Sequence, residues 1–369
     1  MHPGGNRPRS RRCRYMKILV RAPNWVGDAV MAIPALEAIR KSRPGAEMVI
    51  LGRPAVAETY RDQPFADRVI EFDYQGRHMG WLGRTRLIDE LRSEKFTVAI
   101  LLQNAFEAAW LAWRARIPER IGYARDGRSV LLTKPIRVPA AGEIPRHESH
   151  YYLELLRRAG WIEARGDVEP IHLRVSDSAR EAMEAKLNAA GSRHGTWRCA
   201  IAPGASYGAA KCWLPERFAA LADRLISECD ASVVLFGTSG EREIAQSICS
   251  AMKGRAISLV GQTTMRDLPA LLSACSVFVG NDSGAMHVAA AVGLPVVGIF
   301  GSTDPEATRP VTRDFTLIRE PVSCSPCFLR KCPVDHRCMT RIEVGSVFSA
   351  VLQTRGRAGQ PQLWSRQNA

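Results

Sequence analysis

The sequence predicts an α/β protein built from two doubly wound domains, and three observations carry that reading. Short apolar segments alternate with amphipathic helical patterns along most of the chain, as expected of βαβ units around a mostly parallel sheet. The alternation starts twice, near Met16 and again near Arg198, each time as strand, loop and helix. At 369 residues the chain is long enough for two domains of ordinary size. With 46% hydrophobic and 24% charged residues, its composition excludes a disordered or coiled-coil chain. It has no run of about 18 uninterrupted apolar residues, so no membrane-spanning helix is expected.

Met16 to Arg21 reads as a buried strand, followed by the loop Ala22–Gly27. Asp28 opens a helical pattern with Val30, Ile33, Leu36, Ala38 and Ile39 on one face. Arg40, Lys41 and Arg43 close it before Pro44-Gly45. An acid at the start and cations at the end suit the helix dipole. Strands follow at Glu47–Leu51, Arg68–Phe72 and Phe96–Leu102, with helices at Ala55–Tyr60 and Leu82–Arg92 between them. A helix over Ser178–Ala190 leads into the second start: a strand at Arg198–Pro203, a Gly-containing loop, and a helix over Pro215–Glu228. Further strands are expected at Ser232–Phe236, Ile257–Leu259, Val277–Val279 and Val296–Phe300. The domains are expected to span 16–175 and 176–352. A disordered basic leader over 1–15 precedes them, and a flexible tail over 353–369 follows.

The net charge is +14. More than half of that excess sits in the tails, on Arg7, Arg9, Arg11, Arg12, Arg14, Arg355, Arg357 and Arg366, with no acid among them. The body is only mildly basic, which fits an acidic ligand or an anionic membrane surface and does not demand nucleic acid. No RNP-like interleaving of basic and aromatic residues is present, so no nucleic-acid partner is expected. The leader lacks an apolar core, so it is not a secretory signal. A cytoplasmic protein with reduced cysteines is expected, with Met16 as an alternative start.

No G-x-G triplet and no Gly-Lys pair occurs, which removes the dinucleotide fingerprint and the Walker A loop. The H-E-x-x-H zinc signature is absent too. Doubly wound domains bind ligands at the C-terminal ends of their strands, and the candidate chemistry lies there. In Gly280-Asn-Asp282-Ser283-Gly284-Ala-Met-His287 a buried strand runs directly into a helix, whose free first amides suit a phosphate. Asp282 would face sugar hydroxyls, although Asp or Ser before a helix also serves simply as a cap. In Pro203-Gly-Ala-Ser206-Tyr-Gly-Ala-Ala-Lys211 small residues let the backbone approach an anion. Ser206 offers a hydroxyl and Lys211 a point charge for a diphosphate. Asp28 is placed as a helix-start carboxylate at the end of the first strand, a cap or a general base. Glu241, beyond another strand end, is placed for a ribose hydroxyl pair or as a helix-start acid.

The segments Lys17–Asp28, Ala202–Trp213 and Asn281–His287, in this order and spacing, resemble the ADP-heptose:lipopolysaccharide heptosyltransferases of glycosyltransferase family nine, over about Met16 to Leu352. The resemblance implies a GT-B fold: two Rossmann-like domains facing across a cleft. It also implies an ADP-heptose donor, and as acceptor the anionic, lipid-anchored inner core of lipopolysaccharide. Position by position, Asp28 resembles the catalytic base, and Lys211 with Ser206 the diphosphate grip. Glu241 resembles the ribose contact, and Asp282, Ser283, Gly284 and His287 the donor motif. The resemblance implies inverting transfer to the heptose of the inner core, the heptosyltransferase II step; the heptosyltransferase I step, another family-nine nucleotide-sugar transfer and a silent sugar-nucleotide binder are the alternatives. No cofactor and no metal is expected, since no D-x-D triplet occurs. Arg77, His78, Arg84, Arg86 and Arg92 are expected to form a basic face for the acceptor, with peripheral contact to the cytoplasmic membrane surface. The cluster Cys324, Cys327, Cys332, His336 and Cys338 carries zinc-ligand types at irregular intervals, or is a set of free thiols.

Overall fold

The computed structural model describes residues 16–192 and 195–358. The first sheet comprises β1 (Lys17–Arg21), β2 (Glu47–Gly52), β3 (Arg68–Glu71), β4 (Val98–Leu101), β5 (Glu119–Tyr123) and β6 (Lys134–Ile136). Its order is β3-β2-β1-β4-β5-β6, and every pairing is parallel. The second sheet comprises β7 (Arg198–Ala202), β8 (Ser232–Leu235), β9 (Ile257–Ser258), β10 (Val277–Asn281), β11 (Val296–Phe300) and β12 (Phe315–Arg319). It is also parallel throughout, in the order β12-β11-β10-β7-β8-β9. Counted within each domain, both sheets run 3-2-1-4-5-6, so each has its topological switch point between its first and fourth strands. In register, Leu19 lies between Val49 and Ala99, and Ile201 between Val279 and Leu235. These central strands are apolar on both faces because helices cover both.

Three strands were not expected from the sequence: β5, β6 and β12. Their segments carry charged or exposed positions, ERIGY, KPI and FTLIR, and β6 and β12 are sheet edges where one side meets solvent. The helices Glu148–Arg158 and Val344–Ala358 were also unexpected; the latter runs past Leu352 into the segment read as a tail. The residues expected as a leader, 1–15, lie outside the described residues, as does 359–369. The first helical pattern is two helices, Val26–Met31 and Ile33–Ser42, broken at Ala32 ahead of Pro34.

Residues 171–174 are stitched to both halves. The buried Gln63 side chain accepts from Arg174 N (2.9 Å) and donates to Arg174 O (3.1 Å). Ile171 N and Leu173 N donate to Val311 O and Ala291 O. Between the halves, helix Val26–Met31 packs on helix Gly284–Ala291. A Cβ on Gly27 would stand 3.1 Å from His287 Cδ2, and one on Gly284 2.8 Å from Val26 Cβ. Two helix N-termini, one from each sheet's switch point, therefore meet with bare backbone.

Candidate active site

Asn281, fully buried at the end of β10, builds the floor. Its Oδ1 accepts from Trp213 N (2.9 Å) and its Nδ2 donates to Pro203 O (2.7 Å), pinning both ends of the 203–213 loop. Next to it, buried Asp282 accepts on one oxygen, Oδ2, from Lys211 Nζ (2.6 Å) and Thr303 Oγ1 (2.7 Å). Lys211 also stands 5.0 Å from the Tyr207 ring centre. Lys211 and Asp282 form an enclosed ion pair. It leaves only Oδ1 of Asp282 without a side-chain partner among the described residues, so half of the acceptor capacity expected there is committed to Lys211 and Thr303.

Ser283 precedes helix Gly284–Ala291 in an extended conformation; its hydroxyl caps nothing and is buried without a partner. His287, buried in that helix and packed on Gly27, is pushed down to about 4 by burial, so it is neutral at pH 7. Glu241 lies across the ends of β7 and β8: a Cβ on Gly204 or Gly237 would collide with its carboxylate. Its Oε2 accepts from Thr238 N (2.6 Å) and Thr238 Oγ1 (3.0 Å), closing a capping box. Ser206 is exposed at the loop tip and makes no hydrogen bond among the described residues. Gly204-Ala-Ser-Tyr-Gly208 also spells the G-x-S-x-G of a nucleophile elbow. Ser206 has neither the left-handed backbone nor a histidine partner among the described residues.

On the first domain, Asp28 sits in the opening turn of helix Val26–Met31. Burial pushes its carboxyl up to about 6; the Lys211 charge opposes this and the Asp282 charge adds to it, so all three groups share one field. The sequence did not single out Glu148. Its carboxyl is pushed to about 7 by burial and by the charge of Asp28. Ser149 Oγ donates to Met31 O (2.8 Å), and this ties the Glu148 helix to the end of the Asp28 helix. The one sequence signal was an acid at the start of a helix that was itself not expected.

Of the five residues of the expected basic face, Arg86 is exposed without a carboxylate partner among the described residues, and the other four are paired or buried. His78 is buried and its Nδ1 accepts from Asp73 N. Arg77 pairs with Glu90, Arg84 with Glu107 (2.6 Å) and Arg92 with Asp89 (2.7 Å). Two arginines without a carboxylate partner among the described residues stand at strand ends: Arg21 closing β1 and Arg53 following β2.

The cysteine segment clasps the 203–213 loop. Arg330 O accepts from Ala210 N (3.0 Å), His336 Nε2 lies 3.0 Å from Ala210 O, and Tyr207 OH donates to Phe328 O (2.7 Å). Gly208 passes so close to Arg330 that a Cβ would collide with its carbonyl. Cys327 N and Phe328 N donate to Ser302 O, beside the Thr303 that holds Asp282. Among the described residues no three His, Cys, Asp or Glu side chains gather as metal ligands. What this segment visibly does is position Tyr207, Lys211 and Thr303.

Residues 84–337, more than half of the chain, match the model of glycosyltransferase family 9 (heptosyltransferase). The chain belongs to that family. This glycosyltransferase is 30% identical over 312 residues to lipopolysaccharide heptosyltransferase 2 of Salmonella typhimurium, covering 82% of this chain and 88% of that one. Among solved structures it is similar to ADP-heptose lps heptosyltransferase II of E. coli, with a TM-score of 0.78, 26% identity, and coverage of 93% and 99% of the two chains. E. coli heptosyltransferase WaaC with ADP shares the fold at a TM-score of 0.67 and 16% identity, over 92% of this chain and all of that one. The transferase thus has the GT-B arrangement that its sequence implied.

Proposed function

We propose that this enzyme transfers L-glycero-D-manno-heptose from ADP-heptose to the heptose of the lipopolysaccharide inner core, the heptosyltransferase II step, with inversion. The observation that carries the mechanism is Asp28, a carboxylate raised to about 6, sharing one field with the Lys211–Asp282 pair across the cleft. Ionised Asp28 takes the proton of the acceptor hydroxyl. That oxygen bonds to the anomeric carbon as the bond to the diphosphate breaks, and ADP leaves with the electron pair. Lys211, the Ser206 hydroxyl and the first amides of helix Gly284–Ala291 stabilise the charge that develops on the diphosphate. Glu241 takes the ribose hydroxyls, and Asp282 Oδ1 with Ser283 the sugar. His287, neutral, keeps the junction polar without adding charge. The acceptor belongs to the first domain and the donor to the second, divided near 175/176. An acceptor of this kind brings the enzyme to the cytoplasmic face of the membrane as a peripheral protein; no described helix is long and apolar enough to cross one.

The test is transfer from ADP-heptose onto lipid A cores carrying two Kdo units, with and without the first heptose, in chelator. Transfer only to the heptose-bearing core is expected. Transfer to the bare Kdo core would move the assignment to heptosyltransferase I. Donor binding without transfer would leave a sugar-nucleotide binder, and dependence on added metal would overturn the metal-free step.

A further inference from the structure

We infer that the cleft-side rim of the first domain is a bilayer-docking face, on which Met79, Trp81, Leu82 and Val130 enter the interface of an anionic lipid membrane. This rests on the proposed lipid-anchored acceptor and names the surface that would meet its membrane. These four side chains are 64%, 67%, 82% and 87% exposed. Helix Gly80–Ser93 does not need Trp81 or Leu82 for its own packing, since Gly83, Leu87, Ile88 and Leu91 are its buried positions. That helix packs on helix Phe106–Arg114, which in turn packs on the turn Ser129–Leu131 carrying Val130. The apolar side chains therefore lie on adjoining elements.

Their position follows from the topology. Each of the three elements follows a strand end, β3, β4 or β5, on the same edge of the sheet from which the Asp28 loop leaves β1. A membrane seated there would present a lipid-anchored sugar at the mouth of the cleft. Arg86 is exposed on the same helix, with no carboxylate partner among the described residues. Its charge suits anionic headgroups, while Trp at the rim and aliphatic side chains beyond it suit the interface. An open groove of about 360 Å³ between the two helices is walled by Trp81 and Trp110, with ring centres 5.8 Å apart. Aromatic rings alone would fit a stacked sugar. Met79, Leu82 and Val130 offer a sugar no hydrogen bond, and that decides for lipid.

The experiment is co-sedimentation of the full chain with phosphatidylglycerol–phosphatidylethanolamine vesicles and with phosphatidylcholine vesicles, for the wild type and for Leu82→Ser with Val130→Ser. Heptose transfer to a deacylated, water-soluble core is measured in parallel. We expect binding to the anionic vesicles, weakened roughly tenfold or more by the two substitutions, with transfer to the soluble core unchanged. Unaltered vesicle binding in the double variant would overturn the docking face, as would binding abolished by salt alone. Self-association of the wild type without vesicle binding would identify a second copy as the occupant and overturn it too. Vesicle binding without any transfer would sink the proposed reaction while leaving the docking face standing, and transfer without vesicle binding would do the reverse.

Discussion

The two halves share one topology and carry opposite electrostatics at their switch points. At the end of β1 and on the helix packed beside it stand two carboxylates, Asp28 and Glu148, both raised by burial. At the ends of β7 and β10 the carboxylate of Asp282 is neutralised by Lys211 and further held by Thr303. One strand order thus supports a proton acceptor on one side and an anion cradle on the other. The difference comes from the loops. The 203–213 loop is clasped by Asn281 and by the cysteine segment, whereas the Asp28 carboxylate accepts no hydrogen bond among the described residues and has only the Lys211 charge to oppose its burial. A base must be left undercompensated to take a proton, and a cradle must be rigid to favour charge that develops late.

Removing Asp28 is the sharpest way to break this contrast. Asp28→Asn is expected to cut kcat about 10³-fold while the dissociation constant for ADP-heptose stays near that of the wild type, read by single-turnover transfer and calorimetry. The same variant has a stability signature. An acid whose folded pKa is raised favours folding at low pH, and that contribution is lost as pH rises through about 6. Asp28→Asn should therefore raise Tm at pH 7 and leave it unchanged near pH 4. A loss of donor binding equal to the loss of kcat would place Asp28 in the cradle instead.

Lys211→Ala tests the other side. Donor affinity should fall roughly 10–100-fold, and the buried Asp282 charge, left to Thr303 alone, should cost about 3 kcal/mol of stability. With the cation gone, the acid limb of the pH–rate profile should move up from about 6, since Lys211 holds the Asp28 carboxyl down. An unmoved limb would separate the two sides electrostatically.

His336→Ala probes the clasp. Loss of its contact with Ala210 should raise KM for ADP-heptose several-fold, by about the worth of one hydrogen bond, with kcat nearly constant and His336→Gln restoring part of the effect. The smallest effect is expected from Glu148→Gln. The two carboxyls, at about 6 and about 7, titrate as a coupled pair. The wild-type profile of kcat/KM should show two acid-side inflections, and the variant only the one near 6.

Much of the fold was legible because the strands that matter most are the most buried. β1, β7, β10 and β11 each carry an apolar run of three or more residues, and each is followed by a loop and a helix whose small or acidic residues announce it. The edge strands β6 and β12 escaped, as did the interior strand β5, which opens on Glu119 and Arg120, since a strand with half of its positions in solvent has no period that separates it from a loop. Asp28, Lys211, Glu241 and Asp282 could be picked out because each stands just beyond such a run. The basic face could not be judged, because whether an arginine is free depends on acids such as Glu90 and Glu107 meeting it across a helix pair.

The sequence alone determined two parallel α/β units, the strand ends where ligands are met, and the residue types waiting there, for burial and helix capping are written in local pattern. Only the tertiary structure decided the partnerships. Lys211 and Asp282 lie 71 residues apart and pair because strands one and four of a doubly wound sheet are neighbours. Glu148 reaches Asp28 because Ser149 bonds to Met31, and the cysteine segment reaches the loop of Lys211 through backbone carbonyls that any residue could supply. Contacts made by backbone, and by chain brought together from far apart, leave no spacing in the sequence to be read.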